Sequence, residues 1–346
     1  MIIESVAASL PERVVCNEEV VDLIRFNSKH FDGDINKVLR IIKTRLERSG
    51  LITRHWLGGD ERPIDHVARA VSSALKASAT RPIDIDLFIY VGVGGEFHKL
   101  GNAYILAKSL GVLRAECFDI LDACMSWTRA VSLTKSLFET RRIRNALIVN
   151  AEFNMIKGTA GFPENFTLNH PQELDHLYPS YTIGEAASAT LLFPADKENL
   201  SVTIHSNPGY AELCMIPAEG YQGYFDVSPL VAHLGPRRFT ALGREIHDRI
   251  AAEIPSTLHK SGIDLNKADL VFTHSSSMKA WEDIGARLGF AEKLFHIYPE
   301  AGNVVSASIP TAMAVAQSVG KLRKGSRVAF LMGSAGMSFA AGEFVY

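Results

Sequence analysis

The chain repeats its own pattern at an offset of roughly 180 residues, and a repeat on that scale favours two similar halves that share one core. In the first copy a helical run ends before Ile85-Asp86-Leu87-Phe88-Ile89-Tyr90. In the second a helical run ends before Ala268-Asp269-Leu270-Val271-Phe272-Thr273. Each copy then closes on a Leu-Gly pair, Leu110-Gly111 and Leu288-Gly289, and enters a short strand, Cys117-Phe118-Asp119-Ile120 and Leu294-Phe295-His296-Ile297. A turn, a long apolar helix and a further strand follow, with strands at 145–149 and 326–331. The turn before the helix holds Cys124 in one copy and Asn303 in the other. Packed about a pseudo-dyad, the two helix N-termini face one another, and a cysteine and an amide share one pocket.

A length of 346 residues suits two fused halves of ordinary size. The polar break Asp196-Lys197-Glu198-Asn199 is the natural boundary, giving halves of 1–197 and 198–346. Residues 64–79 carry Val67, Ala70, Val71, Ala74 and Leu75 at helical spacing. Residues 85–93 form a nearly continuous apolar run, the pattern of a strand covered on both faces. The helix over 127–138 has so few polar positions that it must be deeply buried, Trp127 included. Alternating strands and helices imply a largely parallel sheet in each half, and two sheets around buried helices imply a layered αβαβα fold. Residues 153–182 lack periodicity and are rich in Gly, Pro, Asn and His; a loop of that length is usually functional or mobile.

Composition narrows the function by exclusion. Hydrophobic residues make up 47% and charged residues 21%, with a net charge of −2, so no global basic field invites nucleic acid. One local run is cationic: Lys37, Arg40, Lys43, Arg45, Arg48 and Arg54, opposed only by Glu47. It suits an acidic partner or a phosphate as well as a solvated helix face. The four cysteines show no CxxC pairing and no zinc spacing, which predicts neither a metal site nor a disulfide framework. The N-terminus lacks the basic start and apolar core of a signal peptide, and no apolar run is long enough to span a bilayer. A cytoplasmic protein is expected.

Cys124 is the sharpest candidate for chemistry. It stands between a strand and a helix beginning near Ser126, where unpaired N–H groups and the helix dipole stabilise a thiolate. Ala123 and Ser126 leave room beside it. A buried structural cysteine is the competing reading. Asp122 lies two residues earlier and, on a strand, would oppose the thiolate from the same side. Cys16, Cys117 and Cys214 lack this context and read as packing residues. His274 closes a strand ahead of the helix-capping run Ser275-Ser276-Ser277. The other histidines, including His98, His170, His176, His205 and His296, have no repeat-equivalent site pointing to them. Asn303 lies in a Gly-containing turn, and Gly333-Ser334-Ala335-Gly336 is either a tight turn or a source of N–H donors for an oxyanion.

These segments together resemble the β-ketoacyl-acyl-carrier-protein synthase III group of the thiolase superfamily. Leu10-Pro11-Glu12-Arg13-Val14-Val15-Cys16-Asn17-Glu18-Glu19 is similar to that family's opening signature, and so is Ser49-Gly50-Leu51-Ile52-Thr53-Arg54. Asp122-Ala123-Cys124-Met125-Ser126-Trp127 resembles its nucleophile segment. Gly184-Glu185-Ala186-Ala187 resembles its Gly-Asp-Gly-Ala stretch, Thr273-His274-Ser275-Ser276-Ser277 stands at its His-Gln-Ala-Asn motif, and Gly302-Asn303 through Ile309-Pro310 is close to its Gly-Asn-Thr-Ser-Ala-Ala-Ser-Ile-Pro. The matches run in order over nearly the whole chain.

The resemblance implies a thiolase fold and a Cys124, His274, Asn303 triad. Cys124 would carry an acyl group, with the backbone N–H groups of Cys124 and of Ala335 or Gly336 binding the oxyanion. His274 and Asn303 would stabilise the enolate formed as a malonyl-type thioester loses carbon dioxide. Arg48, Lys279 and Trp127 are candidates for contacts to the substrate or its carrier. No cofactor beyond acyl-CoA or acyl carrier protein as substrate is implied, and a homodimer is, with 86–93 and 117–121 as the surface. The alternatives are an O- or N-acyltransferase using the same acyl-cysteine and a partner subunit of a heterodimeric synthase. The departures point to a specialised member. Ser275-Ser276-Ser277 replaces Gln-Ala-Asn, Thr140-Arg141-Arg142 replaces a glycine turn, the family's tryptophan ahead of its Gly-Ile segment is missing, and the loop 153–182 is longer.

Overall fold

The computed structural model describes residues 1–93, 100–140, 143–156, 159, 164–197, 199–224, 226 and 234–346. His98, Arg141 and Arg142 lie outside the described residues, as do parts of the 153–182 loop. The strands are β1 (Ile2–Ser9), β2 (Arg13–Cys16), β3 (Thr53–Trp56), β4 (Leu87–Val91), β5 (Glu116–Ile120), β6 (Ala146–Glu152) and β7 (Ala186–Phe193). They continue with β8 (Leu200–Ser206), β9 (Cys214–Met215), β10 (Thr240–Ala241), β11 (Leu270–Thr273), β12 (Leu294–Phe295), β13 (Arg327–Ser334) and β14 (Ser338–Val345).

Two five-stranded sheets carry the repeat, in the orders β1-β7-β6-β4-β5 and β8-β14-β13-β11-β12. Their pairing senses also match. The two innermost chain-order steps, β4 with β5 and β6, and β11 with β12 and β13, are parallel. The last strand of each set returns antiparallel between its neighbours. The sheets are therefore mixed, not largely parallel as the alternation of elements suggested. The reason is local: β7 and β14 enter from a loop and a tight turn rather than from a crossover helix, so nothing forces a parallel return.

Five layers follow from burial. The helices Ser126–Glu139 and Ser308–Ser318 lie side by side in the centre, with Trp127, Ala130, Val131, Ile309, Ala312 and Met313 essentially free of solvent. Both sheets close over this pair. Outside the first sheet, Val67, Ala70, Val71 and Ala74 of the helix Pro63–Ala77 pack on Phe88, Leu147 and Ala189. Outside the second, Ile250, Ile254 and Trp281 of the helices Gly243–Ser261 and Met278–Leu288 pack on Val271, Ala329 and Phe339. β4 is buried along its whole length inside its sheet, so of the two segments expected at a subunit surface β5, at the sheet edge, is the one placed to form it.

The loops that join the halves cross at one point. Asn303 N–H donates to Thr182 O at 2.8 Å, and Gly184 N–H donates to Asn303 O at 3.0 Å. Two glycines permit this approach. A Cβ on Gly184 would stand 1.9 Å from Ala301 O, and one on Gly302, whose φ is +71°, 2.7 Å from Thr182 O. Gly302→Ala therefore strains the backbone and separates the strands that hold Asn303. We expect a loss of roughly 3 kcal/mol or more, read as a shifted urea midpoint; an unshifted midpoint would contradict the crossing.

Candidate active site

The two central helices begin alike. Each is preceded by a single 3₁₀ turn, Ala123–Met125 and Val305–Ala307. Each turn opens on a non-glycine residue with positive φ, Ala123 at 46° and Val305 at 47°. Such a conformation costs of order 1–3 kcal/mol, and for β-branched Val305 it is a genuine outlier. The strain holds Cys124 just inside one turn and Asn303 just before the other. Both line a cavity of about 260 Å³ and a second, wider one of about 660 Å³ that opens beyond it. His274 lines the wider one. The structure thus brings the three residues to one space from the two halves.

Hydrogen bonds orient the two polar members. Asn303 Oδ1 accepts from Val305 N–H at 2.9 Å, so the side chain offers its Nδ2 donor to the cavity. His274 Nδ1 meets Ser308 Oγ at 3.0 Å. The Ser308 hydroxyl also lies 2.6 Å from the Val305 carbonyl oxygen, so its one hydrogen has two acceptors within reach; turned to Nδ1, it leaves the ring hydrogen on Nε2. Burial, with His247 nearby, pushes the His274 pKa down to about 3, so the ring is a neutral donor.

Cys124 is not poised as a thiolate. Burial pushes its thiol well above the ordinary value of 9.0, with Cys214 and Glu152 acting in the same direction, and the backbone and Ser334 hydrogen bonds do not offset it. The helix N-terminus alone does not outweigh desolvation. Asp122 does not oppose the thiolate as its spacing suggested. It sits at the start of the 3₁₀ turn rather than on a strand, and its carboxylate is paired with Arg129 at 2.7 Å.

The remaining candidates separate. Ala335 lines both cavities, whereas Gly336 is not among their lining residues. Ser334 Oγ accepts from Met125 N–H at 3.1 Å and ties this strand end to the turn that holds Cys124. Arg48 and Lys279 stand at the mouth of the wider cavity. Trp127 does not reach it: the indole is fully buried, donates to Thr190 Oγ1 at 3.0 Å and packs edge-on against Phe330. It is a core residue because it enters the central helix on the side facing both sheets. Arg54 likewise leaves the cationic face. It is wholly buried in β3 and donates to Asn17 Oδ1 at 2.9 Å and Tyr181 O at 3.0 Å. Lys43 and Arg45 of that run pair with Glu18 and Asp175.

Several residues of the site carry no sequence signal. Cys214, read as packing, lines both cavities. His247 lines the wider one. Glu152, at the end of β6, accepts from Ser306 N–H at 3.2 Å, from the Ser306 hydroxyl and from Asn154 Nδ2, and so braces the turn after Asn303. Burial raises its pKa to about 7. For a carboxyl raised in the fold, stability is fully present below the ordinary value of 4.5 and is lost as pH rises through about 7. The shift corresponds to a cost on the order of 3 kcal/mol at alkaline pH. Glu152→Gln, which cannot ionise, should gain in melting temperature on the native protein as pH goes from about 5 to 8. A difference that does not change with pH would remove this assignment.

The 153–182 segment, where described, is not a loose loop. Phe166, Leu168, Leu174, Leu177 and Tyr181 pack with the helices Asn17–Asn27 and Ile35–Arg48. Asn154, Met155 and Ser180 line the inner cavity. No group of three metal-ligating side chains occurs among the described residues, and none of their helices is long and apolar enough to cross a membrane.

Comparison with known proteins agrees with this architecture. Residues 258–345 match the family model described as 3-oxoacyl-[acyl-carrier-protein] synthase III, C terminal. The β-ketoacyl-[acyl-carrier-protein] synthase III of Methylococcus capsulatus is 25% identical over 341 residues, covering 96% of this chain and 94% of the relative. That of Thermosynechococcus vestitus is 23% identical over 303 residues, covering 86% and 88%. Among solved structures, Xanthomonas campestris OleA superposes with a TM-score of 0.82 at 18% identity, over 99% of this chain and 97% of the other. FabH of Pseudomonas aeruginosa gives 0.77 at 21%, over 100% and 98%. In its fold and its ordered sequence segments the chain is similar to the β-ketoacyl-[acyl-carrier-protein] synthase III enzymes over nearly its whole length.

Proposed function

We propose that the protein condenses acyl thioesters: Cys124 takes an acyl group, and a malonyl-type thioester then adds to it with loss of carbon dioxide. The observation that carries this is the convergence on one space of Cys124 and Asn303 from two equivalent turns and of His274 from the end of β11. The thiol sulfur attacks the donor's thioester carbon, and the donor thiol leaves with the proton. The oxyanion of that step falls to the backbone N–H groups of Cys124 and Ala335. The extender's carbonyl then accepts from His274 Nε2–H and Asn303 Nδ2. Two neutral donors suit an oxygen that gains charge only in the transition state. As the carboxylate leaves as carbon dioxide, the enolate carbon attacks the acyl carbon and the Cys124 sulfur is expelled.

The inner cavity fits the acyl group. Val93, Leu121, Met155, Ile183 and Ile216 make its wall largely apolar. Arg48 and Lys279 at the outer mouth suit the phosphate of coenzyme A or of a carrier's prosthetic arm. The OleA of Xanthomonas campestris has been solved with lauric acid and lauroyl-CoA bound, which supports long acyl thioesters as a class to test first. Intact mass of the protein after exposure to acyl-CoAs reads the first step, and labelled carbon dioxide from malonyl-CoA reads the second. A protein that gains acyl mass yet releases no carbon dioxide with any malonyl donor sinks the condensation.

We further infer a homodimer built across β5. This strand is a free sheet edge, and Leu121 beyond it is 73% exposed. Light scattering at micromolar concentration should give twice the chain mass of 37.9 kDa; a monomer would exclude this arrangement.

A further inference from the structure

The wider cavity holds a second imidazole that the condensation does not use. His247 lies on the helix Gly243–Ser261, partly buried, among the residues lining the approach to Cys124 and His274. Its Nδ1 is 2.7 Å from the carbonyl oxygen of Gly243. A carbonyl only accepts, so Nδ1 carries the hydrogen and Nε2 keeps its lone pair. Nε2 lies 3.1 Å from Ser276 Oγ, whose hydroxyl must therefore donate. The ring is fixed in one tautomer, with its basic nitrogen already receiving a hydroxyl hydrogen inside the catalytic space. Burial lowers the pKa of His247 and keeps the ring neutral and able to accept a proton.

Decarboxylation generates its own carbanion and needs no base at this position. A protic acceptor does. Its hydroxyl must lose a proton as it attacks the acyl thioester, and a positioned base at hydrogen-bond distance contributes roughly 10²–10⁴ in rate. We propose that His247 is the general base of a second outlet for the acyl-cysteine, transfer of the acyl group to an alcohol, with Ser276 Oγ marking where the alcohol's hydroxyl meets Nε2. The alcohol oxygen attacks the thioester carbon, the O–C bond forms and the C–S bond to Cys124 breaks. The hydroxyl proton passes to His247 Nε2 and then to the cysteine sulfur. Ester and free thiol are the products, and no further reactant is required.

The inference rests on the acyl-Cys124 reading, and one experiment separates their failures. The protein is loaded with lauroyl-CoA, acyl attachment is followed by intact mass, and the loaded protein is divided between malonyl-CoA and butan-1-ol. The native protein should form butyl laurate in the second arm. His247→Gln keeps a hydrogen-bonding side chain without basicity, and His247→Phe removes both. Each should lower the ratio of ester to malonyl-dependent product by about a hundredfold. Acyl mass in the same samples reports whether the site has formed. No acyl mass in the native protein defeats the reading of Cys124. Acyl mass without butyl laurate, or an ester ratio unchanged in both variants, overturns the role of His247 alone.

Discussion

Cys124→Ala should gain no acyl mass from any thioester, whereas Cys16→Ala and Cys117→Ala should gain it as the native protein does. The expected loss is on the order of 10⁵ in loading rate or more, because the variant has no atom on which the covalent intermediate can form. The controls are chosen by position. Cys16 caps the helix Asn17–Asn27 and Cys117 bonds to Ala115 O, both away from the cavities. Cys214→Ala is a different case. Cys214 lines both cavities but has no base or donor pattern of its own, so its variant should load through Cys124 while altering which acyl chains fit. The thiol's raised pKa adds a second measurement. Below its pKa the thiolate fraction rises tenfold per pH unit, so alkylation of Cys124 by iodoacetamide should keep accelerating past the ordinary thiol value of 9.0. A rate that levels off well below that value would mean the helix N-terminus does outweigh burial. An acyl adduct surviving in Cys124→Ala would remove the nucleophile assignment altogether.

The reason Cys124 and Asn303 are legible in the sequence is that a duplicated fold places both in the turn ahead of a central helix, Cys124 one residue after the positive-φ position and Asn303 two before it. Each follows a short strand and precedes a central helix, so the repeat aligns them before any contact is known. The central helices are legible for a related reason: Ser308–Ser318 is apolar almost all round, and Ser126–Glu139 carries a broad apolar face from Trp127 to Phe138 that two sheets can enclose. The antiparallel return of β7 and β14 is not legible, because an apolar strand reads the same in either direction. His247, Cys214 and Glu152 are illegible for a different reason. Each enters the site through packing between elements distant in sequence, with partners such as Ser276 and Ser306 that no spacing links to it. Trp127 and Arg54 show the converse. Both stand beside motif residues, yet the backbone turns them into the core, where sequence adjacency to a site confers no access.

Asn303→Ala separates the two half-reactions. Attack by Cys124 depends on the thiol and on backbone donors at Cys124 and Ala335, and a neutral amide across the cavity contributes little to either. Enolate formation differs, since negative charge builds on the extender's carbonyl oxygen in a space shielded from water. There one well-placed donor is worth roughly 3 kcal/mol, on the order of a hundredfold or more in rate. Asn303 is held as that proposed task would require. Its Oδ1 is occupied by Val305 N–H, so only the donor end of the amide faces the cavity. Its backbone is fixed on both sides by Thr182 and Gly184. The variant should accept acyl groups on Cys124 at near the native rate and lose most release of carbon dioxide from malonyl-CoA. His274→Ala should fail at the same step, because its Nε2–H serves the same oxygen. Asn303→Asp is the sharper variant. It preserves shape and the bond to Val305 N–H but replaces the donor by an acceptor, so it should be slower than Asn303→Ala at decarboxylation. A variant aspartate that decarboxylates as well as the native asparagine would show that no enolate oxygen meets this side chain.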